Sequence, residues 1–209
     1  MPEVDEIANS ICEKLSSMPE RAAVTLVTDV NGYFSALKGV IQHANNSNIA
    51  CIYIAATIPS NVVIDQMSQS GFNLDSLYFV DCISFIVGSP RDAVNKTLYI
   101  ESPTMLENIM LKVQAWLKRM KEGRKMVFLD SINTLSVHND QKILSEFLHY
   151  LINSLRVKDI STIILSVEGQ TPEDLENILK LVCDDTIDAK GGEAQAESGN
   201  SNEPSNGNP

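Results

Sequence analysis

The sequence predicts an α/β fold, a three-layer sandwich with a mostly parallel central sheet between two layers of helices. Short apolar segments with strand character alternate along the chain with longer segments whose apolar residues recur at helical spacing. The strand segments are apolar at nearly every position, which is typical of parallel strands covered on both faces. Ligands of such sheets bind beyond the carboxyl ends of the strands, so candidate site residues are expected there.

The first half of the chain is predicted to hold an N-terminal helix and the first strands of the sheet. Apolar residues at helical spacing predict an amphipathic helix within residues 1–17, and Pro19 is expected to separate it from the first strand. Residues 82–87 predict a further extended segment that ends at Gly88-Ser89-Pro90. The other predicted strands of this half are 24–28, 49–55, 77–81 and 97–100, and its other predicted helices are 33–45 and 60–70.

The second half of the chain is predicted to begin with the longest helix. Ser102-Pro103-Thr104 is expected to open this helix and Gly123 to end it. Thr171-Pro172-Glu173 favours another helix start, because it offers a cap residue, a proline in the first turn and an acid behind it. The predicted helices of this half are 103–121, 140–156 and 171–182, and its predicted strands are 126–130, 161–167 and 186–188.

The composition fits one globular domain with additional terminal segments. We expect an N-terminal helix (1–17), an α/β domain (18–189) and a disordered acidic tail (190–209), which lacks large apolar side chains. The formal net charge of −11 disfavours nucleic acid and anionic lipid as partners, since both are bound largely through cationic side chains. No membrane span is expected, because no apolar run reaches roughly 20 residues. The acidic N-terminus and the four widely spaced cysteines favour a cytoplasmic protein.

The loop of residues 29–36 comes directly after the first predicted strand and reads Asp-Val-Asn-Gly-Tyr-Phe-Ser-Ala. In P-loop proteins the motif G-x-x-x-x-G-K-[ST] cradles phosphates at this position, between a strand and a helix. Downstream, Met126-Val127-Phe128-Leu129-Asp130-Ser131 has the pattern of a Walker B strand, in which apolar residues end in a carboxylate. The two segments together indicate the scaffold of a nucleotide-binding protein.

The order and spacing of several segments resemble the KaiC-like, RecA-superfamily ATPases over about residues 18–189. The resemblance implies a RecA/KaiC-like fold for the α/β domain. It also implies the option of head-to-tail assembly, as RecA-like domains form. The segments that carry it are Met18–Thr28 before the loop, Met67–Asp75 before the third strand, Phe128–Leu135 at the Walker B position, Thr162–Ser166 in the next core strand, and Cys183–Ile187 near the end of the domain.

The loop departs from the family pattern where phosphate and metal would be held. Asp29 replaces the first glycine, Gly32 keeps a glycine, and Phe34 replaces the glycine before the lysine. Ser35 stands at the position of the lysine that reaches the β- and γ-phosphates, and Ala36 at that of the hydroxyl that binds Mg²⁺. The family's catalytic glutamate is also missing near residues 55–57. Each lost charge-assisted contact is worth roughly 1.5–3 kcal/mol, so a degenerate Walker A loop and a pseudo-ATPase are predicted.

We therefore predict a non-catalytic scaffold or regulatory protein that acts through a protein partner or a homo-oligomer. An active KaiC- or RecA-like paralogue is one candidate partner. The alternative is a residual nucleotide-binding protein or slow ATPase that uses Asp130 and the loop backbone, and a DNA-associated recombinase-like protein is disfavoured by the charge. No cofactor is expected, and ATP with Mg²⁺ at Asp130 belongs to the alternative alone. The residues of the predicted vestigial nucleotide site are Asp29, Asn31, Gly32, Ser35, Asp130 and Ser131.

Several side chains that could belong to a functional site are explained more simply by structural roles. Asp130, at a strand end, is expected to cap or hydrogen-bond nearby backbone rather than to bind a metal. Ser131 is expected to cap the following turn rather than to act on a substrate. His138 in a polar turn and His149 on a helix are expected at the surface rather than in a metal site. Trp116 is expected to be partly buried, and the basic residues after it to favour a helix C-terminus. The N-terminal helix fits equally an oligomerisation arm and a helix that packs on its own domain.

Overall fold

The computed structural model of the protein describes residues 5–88 and 96–189. The strands in this part of the chain are β1 (Ala23–Thr28), β2 (Ala50–Ala55), β3 (Leu77–Asp81), β4 (Thr97–Tyr99), β5 (Lys125–Asp130), β6 (Ser161–Val167) and β7 (Asp185–Asp188). The helices are α1 (Glu6–Ser16), α2 (Tyr33–Asn46), α3 (Ser60–Gln69), α4 (Leu106–Arg119), α5 (Ile132–His138), α6 (Gln141–Arg156) and α7 (Glu173–Val182).

The seven strands form one sheet in the order β4-β3-β2-β5-β6-β1-β7, and every neighbouring pair is parallel. The predicted α/β class and mostly parallel sheet are therefore confirmed. β6 lies between β1 and β5, so the loop after β1 and the end of β5 meet the same sheet edge one strand apart. This edge, formed by the carboxyl ends of the strands, is where the site residues were expected.

Two hydrophobic cores cover the two faces of the sheet. Helices α1, α2 and α3 bury their apolar residues on one face, and α4, α5, α6 and α7 bury theirs on the other. Because side chains alternate along a strand, each central strand contributes to both cores. In β5, Met126 and Phe128 face the α2 side, whereas Val127 and Leu129 face the α6 side. Burial on both faces explains why the strands are apolar at nearly every position.

The N-terminal helix packs on its own domain. Ile11 and Leu15 of α1 lie in the core that α2 shares with the sheet. At Gly39 of α2 the contact is so close that a Cβ atom would stand 2.7 Å from Cβ of Ile11 and 2.8 Å from the carbonyl oxygen of Ala8. Glycine therefore sets the approach of the two helices. Of the two roles considered for this helix, the structure supports intramolecular packing.

Several local predictions were wrong. The helix predicted to open at Ser102-Pro103-Thr104 begins only at Leu106, and α6, with 16 residues, is longer than α4, with 14. Residues 82–87 form turns rather than an extended segment, because the Asp81 carboxylate accepts the N–H groups of Ile83 and Ser84 directly after β3. An apolar run of this length does not distinguish a strand from other buried structure. The short helix α5 was missed, and His138 lies at its end rather than in a turn. Its buried residues are few, and they come so soon after the strand that helical periodicity is not visible.

Some predictions fall outside the described residues, namely those for residues 1–4 of the N-terminal segment, for Ser89-Pro90 and for the tail 190–209. The boundaries of the predicted domain stay a prediction. All four cysteines are free thiols, and three of them are buried. No helix in the described part of the chain has the length and apolar character needed to cross a membrane. Trp116 is buried more completely than expected, and its indole N–H donates to the carbonyl oxygen of Phe79 at 2.9 Å.

Candidate functional site

Asp130 lies at the centre of the candidate site, at the carboxyl end of β5. It is fully buried and stands two residues after Phe128, so its side chain faces the α2 side of the sheet. Its Oδ2 atom accepts hydrogen bonds from the phenol of Tyr33 at 2.7 Å and from that of Tyr53 at 2.5 Å. Tyr33 is the first residue of α2, and Tyr53 lies in the neighbouring strand β2. Two tyrosines from separate elements thus converge on one carboxylate oxygen.

The second oxygen of Asp130 is unsatisfied. Oδ1 is buried and accepts no hydrogen bond from the described residues. Thr57 lies near the carboxylate, but the hydrogen bonds of its hydroxyl go to Ser131 at 3.2 Å and Thr134 at 3.0 Å. Burial raises the pKa of Asp130 to about 6, although the hydroxyls of Tyr53, Tyr33 and Thr57 act in the opposite direction. Burial and the charge of Asp130 in turn raise the pKa of both tyrosines, so each phenol stays a donor at neutral pH.

Ser131 belongs to a small hydroxyl cluster next to this carboxylate. Its Oγ contacts the hydroxyls of Thr57 and Thr134, and the residue is buried. Ser131 occupies the N-cap position of α5, but its side chain makes no capping hydrogen bond. The expected capping role of its side chain is therefore corrected. Its hydroxyl instead joins Thr57, two residues after the end of β2, to Thr134 in α5.

The loop after β1 is closed by its own carboxylate. Asp29 Oδ1 accepts a hydrogen bond from the backbone N–H of Gly32 at 2.6 Å. A Cβ atom at Gly32 would stand 2.5 Å from Oγ1 of Thr28, so the glycine is required by the close approach of the loop to the strand end. The backbone donor of Gly32 is thus used inside the loop. Asp29 acts as a local cap here, a role that the sequence did not reveal.

Ser35 is directed away from Asp130. Its hydroxyl donates to Asp5 Oδ2 at 2.9 Å, and Lys38 forms an ion pair with the same oxygen at 3.3 Å. The other oxygen, Asp5 Oδ1, accepts the N–H of Ala8 and caps α1. Both α2 side chains therefore fasten the N-terminal helix. Burial raises the pKa of Asp5, but these hydrogen bonds and the charge of Lys38 outweigh it and hold the pKa below its usual range.

The predicted site residues are only partly assembled. Asp130 and Ser131 are adjacent in a buried polar cluster, and Asp29 and Gly32 close their own loop. Asn31 is exposed at the loop surface. Phe34, which replaces the glycine before the lysine, is 40% exposed, and its ring packs against that of Tyr33 with 5.1 Å between the ring centroids. Tyr33, which was not predicted as a site residue, fills the space beside Asp130.

These side chains do not fit a magnesium-bound nucleotide in this arrangement. A Mg²⁺ ion prefers carboxylate and hydroxyl oxygens that can be reached from the solvent side together with phosphate and water. Here Asp130 is covered by two phenols, Ala36 offers no hydroxyl, and Ser35 is bonded to α1. No group of three or more His, Cys, Asp or Glu side chains suited to a metal occurs within residues 5–88 and 96–189. His138 and His149 are both exposed, as expected.

Sequence reasoning missed Tyr33, Tyr53 and Thr57. A signal existed for Tyr53, because a phenol inside a buried apolar strand requires a hydrogen-bond partner. The pairing of β2 with β5 then places that partner, since Tyr53 is opposite Phe128 and Ala55 is opposite Asp130. Thr57 lies just after β2, where the resemblance led us to expect a glutamate. For Tyr33 no local signal was available, because its contact with Asp130 spans 97 residues of sequence.

Comparisons with known proteins agree with this fold. Residues 27–198 match the family described as the KaiC ATPase family. The chain is similar to a KaiC-like protein of the hyperthermophilic archaeon Pyrococcus horikoshii, with 13% identity and a TM-score of 0.60, over 86% of this chain and 76% of that one. It is also similar to the flagellar accessory protein FlaH of Methanocaldococcus jannaschii, with 11% identity and a TM-score of 0.60, over 89% and 77%.

A third similar structure is an uncharacterised protein of Pyrococcus horikoshii in complex with an unknown peptide, with 12% identity and a TM-score of 0.63, over 86% of this chain and 82% of that one. Identities this low indicate a shared fold and nothing finer. No curated protein matches the chain.

Proposed function

Because the chain belongs to the KaiC ATPase family, we propose that it is a member whose Walker A loop has degenerated and which acts without catalysis, as a scaffold or regulatory protein. The observation that supports this proposal is the pair of phenols on Asp130. Tyr33 and Tyr53 both donate to Oδ2 of this fully buried carboxylate, and Tyr33 comes from the loop at the Walker A position itself.

Nucleotide binding at this site would require a rearrangement. Tyr33 would have to leave Asp130, which costs a hydrogen bond to a charged group worth about 1.5–3 kcal/mol. Asp29 would have to release the N–H of Gly32, which its carboxylate holds at 2.6 Å. No lysine at position 35 compensates for these losses, because Ser35 is uncharged. The proposed loss of function is therefore built into the contacts of the loop as well as into its sequence.

The proposed partner is a protein, either another KaiC- or RecA-like chain or a second copy of this one. The net charge of −11 argues against a nucleic acid as the main ligand. One protein of the same fold was solved with a peptide, so a peptide-binding surface is compatible with this architecture. A scaffold protein would retain the fold and its interaction surfaces without binding phosphate.

The test is the melting temperature of the protein with and without millimolar MgATP, with MgGTP and EDTA as controls. A ligand present at 100 times its Kd stabilises a folded protein by about 2.7 kcal/mol, which is readily detected. We expect no nucleotide-dependent change in melting temperature. A rise specific to ATP would contradict the proposal and support the residual nucleotide-binding protein or slow ATPase.

The variant Asp130→Asn locates any nucleotide effect. Should ATP raise the melting temperature of the wild-type protein but not of this variant, the nucleotide is held at Asp130. If both proteins respond equally, the nucleotide is held without the charge of Asp130, and the proposal is contradicted all the same. Steady-state phosphate release from both proteins completes the comparison, and a rate above background that depends on Asp130 would establish an ATPase.

A further inference from the structure

A groove runs between helices α4 and α6 on the face of the protein remote from α2. Its cavity volume is about 460 Å³, which lies within the range of ligand-binding pockets. Each helix contributes residues spaced by four and three positions, so the two walls run together for about two helical turns. The residues that define this α4–α6 groove include Glu107, Met110 and Leu111 on α4 and Ile143, Glu146, Phe147 and Tyr150 on α6.

The groove exposes large apolar side chains on both walls. Leu111 is 61% exposed on α4, and Ile143 and Tyr150 are each 58% exposed on α6. Beneath them, Met110 and Phe147 are buried and form an apolar floor. Single exposed apolar residues are common on protein surfaces, but several that line one concave groove indicate an interaction site.

The charges of the groove have one sign. Among the described residues that line it, the charged ones are Glu107 on α4 and Glu146 on α6, one on each wall. An apolar floor two turns long between two acidic rims is complementary to an amphipathic helix with a basic flank. We propose that the α4–α6 groove binds an amphipathic helix of a partner protein, with leucine or aromatic anchors in the groove and lysine or arginine beside the two glutamates.

A second copy of this chain fits the groove less well. In a two-fold symmetric contact the same patch meets itself, so Glu107 and Glu146 of both copies would come together. Like charges in such a contact oppose association. The overall charge of −11 adds to this repulsion. The partner is therefore expected to be a different, basic chain.

This inference names a partner class for the proposed scaffold and in that sense rests on it. The two can fail separately, because nucleotide is tested at Asp130 and helix binding is tested at the groove on the opposite face of the sheet. A protein that binds both MgATP and the basic helix would refute the scaffold proposal alone. A protein that binds neither would refute the groove alone.

The probe is a synthetic 18-residue helical peptide with a leucine stripe flanked by lysines, titrated into the full-length protein and followed by fluorescence anisotropy. One control peptide has glutamate in place of every lysine. The other has the same composition in an order that removes the apolar stripe. We expect binding of the lysine peptide alone, and weaker binding at higher salt because the rim charges are screened.

Two pairs of variants locate the binding. Leu111→Ala with Ile143→Ala removes exposed anchors and is expected to weaken binding by about tenfold. The matched control is Leu181→Ala, an exposed leucine on α7. Glu107→Lys with Glu146→Lys is expected to abolish binding of the lysine peptide and to permit binding of the glutamate peptide. Glu13→Lys with Glu122→Lys changes the net charge equally at exposed positions outside the groove and is expected to leave binding unchanged.

Several outcomes would overturn the proposal. The first is no binding of the lysine peptide. Another is equal binding of the scrambled peptide, or an equal loss of binding in both charge-reversal variants, either of which would indicate nonspecific attraction to an acidic protein. Sedimentation of the free protein tests whether a second copy of this chain occupies the groove. A dimer that is lost in the Leu111→Ala, Ile143→Ala variant would assign the groove to a second copy and contradict a basic partner.

Discussion

Two buried aspartates end two strands of the sheet, and their environments differ. Asp81, at the end of β3, accepts five hydrogen bonds, three from backbone N–H groups and two from serine hydroxyls. Asp130, at the end of β5, accepts two from the described residues, both from phenols and both at Oδ2. Neither residue is exposed. The strand β2 lies between β3 and β5, so the two carboxylates lie along one sheet edge.

The difference separates a carboxylate bound mainly by nearby backbone from one bound only by side chains of other elements. The donors to Asp81 come from Ser60 at the start of α3 and from Ile83 and Ser84 in the following turn, so the carboxylate fixes two local backbone segments. The partners of Asp130 are instead side chains of distant elements. One of its oxygens stays unsatisfied within the described part of the chain, which is costly for a buried carboxylate.

The largest effect is expected for Asp81→Asn. The amide cannot accept hydrogen bonds at both atoms, so at least one buried backbone N–H of Ser60, Ile83 or Ser84 loses its acceptor, and the remaining bonds lose their charge. We expect the free energy of unfolding to fall by about 4 kcal/mol, measured by urea denaturation. The milder variant Ser84→Ala is expected to lose about 1 kcal/mol. A neutral effect of Asp81→Asn would show that Asp81 is not structural.

The matched variant Asp130→Asn is expected to raise the free energy of unfolding relative to wild type, by an amount that grows with pH. Burial raises the pKa of Asp130 from 3.8 to about 6 in the folded protein, so the folded state binds the proton more tightly than the unfolded state does. The resulting stability is complete below about pH 3.8 and is lost as the pH rises through 6. The Asp130→Asn variant carries no group that titrates at this position, so its stability does not fall in this way as the pH rises. Its stability relative to wild type should therefore increase by about 3 kcal/mol between pH 4 and pH 8.

Urea denaturation of both proteins across this pH range measures the difference between them, so the titration of other groups cancels. A difference that is independent of pH would mean that the pKa of Asp130 is not raised in the folded protein.

The two phenols are expected to contribute less, and unequally. Tyr53→Phe removes a hydrogen bond to a fully buried carboxylate and should destabilise the protein at pH 7 by about 2 kcal/mol. Tyr33→Phe should cost less, about 1 kcal/mol, because Tyr33 is only half-buried. Both costs should shrink at pH 4, where Asp130 is protonated. Tyr150→Phe, at an exposed phenol, is the control for loss of a hydroxyl. Equal costs at pH 4 and pH 7 would contradict the contact with an ionised Asp130.

The smallest effect is expected at the loop. Gly32→Ala places a methyl group against Oγ1 of Thr28, a side chain that is itself buried, so the loop must shift. We expect a loss of about 1 kcal/mol in the free energy of unfolding. The second substitution Thr28→Ala in the same chain should recover part of the loss, because it removes the clashing atom. If Gly32→Ala were stabilising, the loop would not be held closely against the strand end.

Much of the fold could be predicted from local patterns. The strands were predicted within a residue or two because residues such as Ile52 and Ile54 are buried on one face while Cys51 and Tyr53 are buried on the other. Where the pattern was short, the prediction was wrong. Residues 82–87 are apolar without being a strand, and α5 is too short to display a helical period. Short segments are decided by the hydrogen bonds that neighbouring residues offer, as the Asp81 carboxylate does for its turn.

The sequence by itself determined the fold class, the parallel strands and the position of Asp130 at a strand end, because these depend on periodicity and on neighbours along the chain. It also placed Ser35 and Ala36 in the loop after β1, where the family resemblance implies a lysine and a hydroxyl residue. Only the tertiary structure decided that Tyr33 and Tyr53 share Asp130, that Ser35 turns to α1, and that α4 and α6 leave an acidic groove. These contacts join residues far apart in the chain, and their formation depends on the order of the strands, which no local pattern specifies.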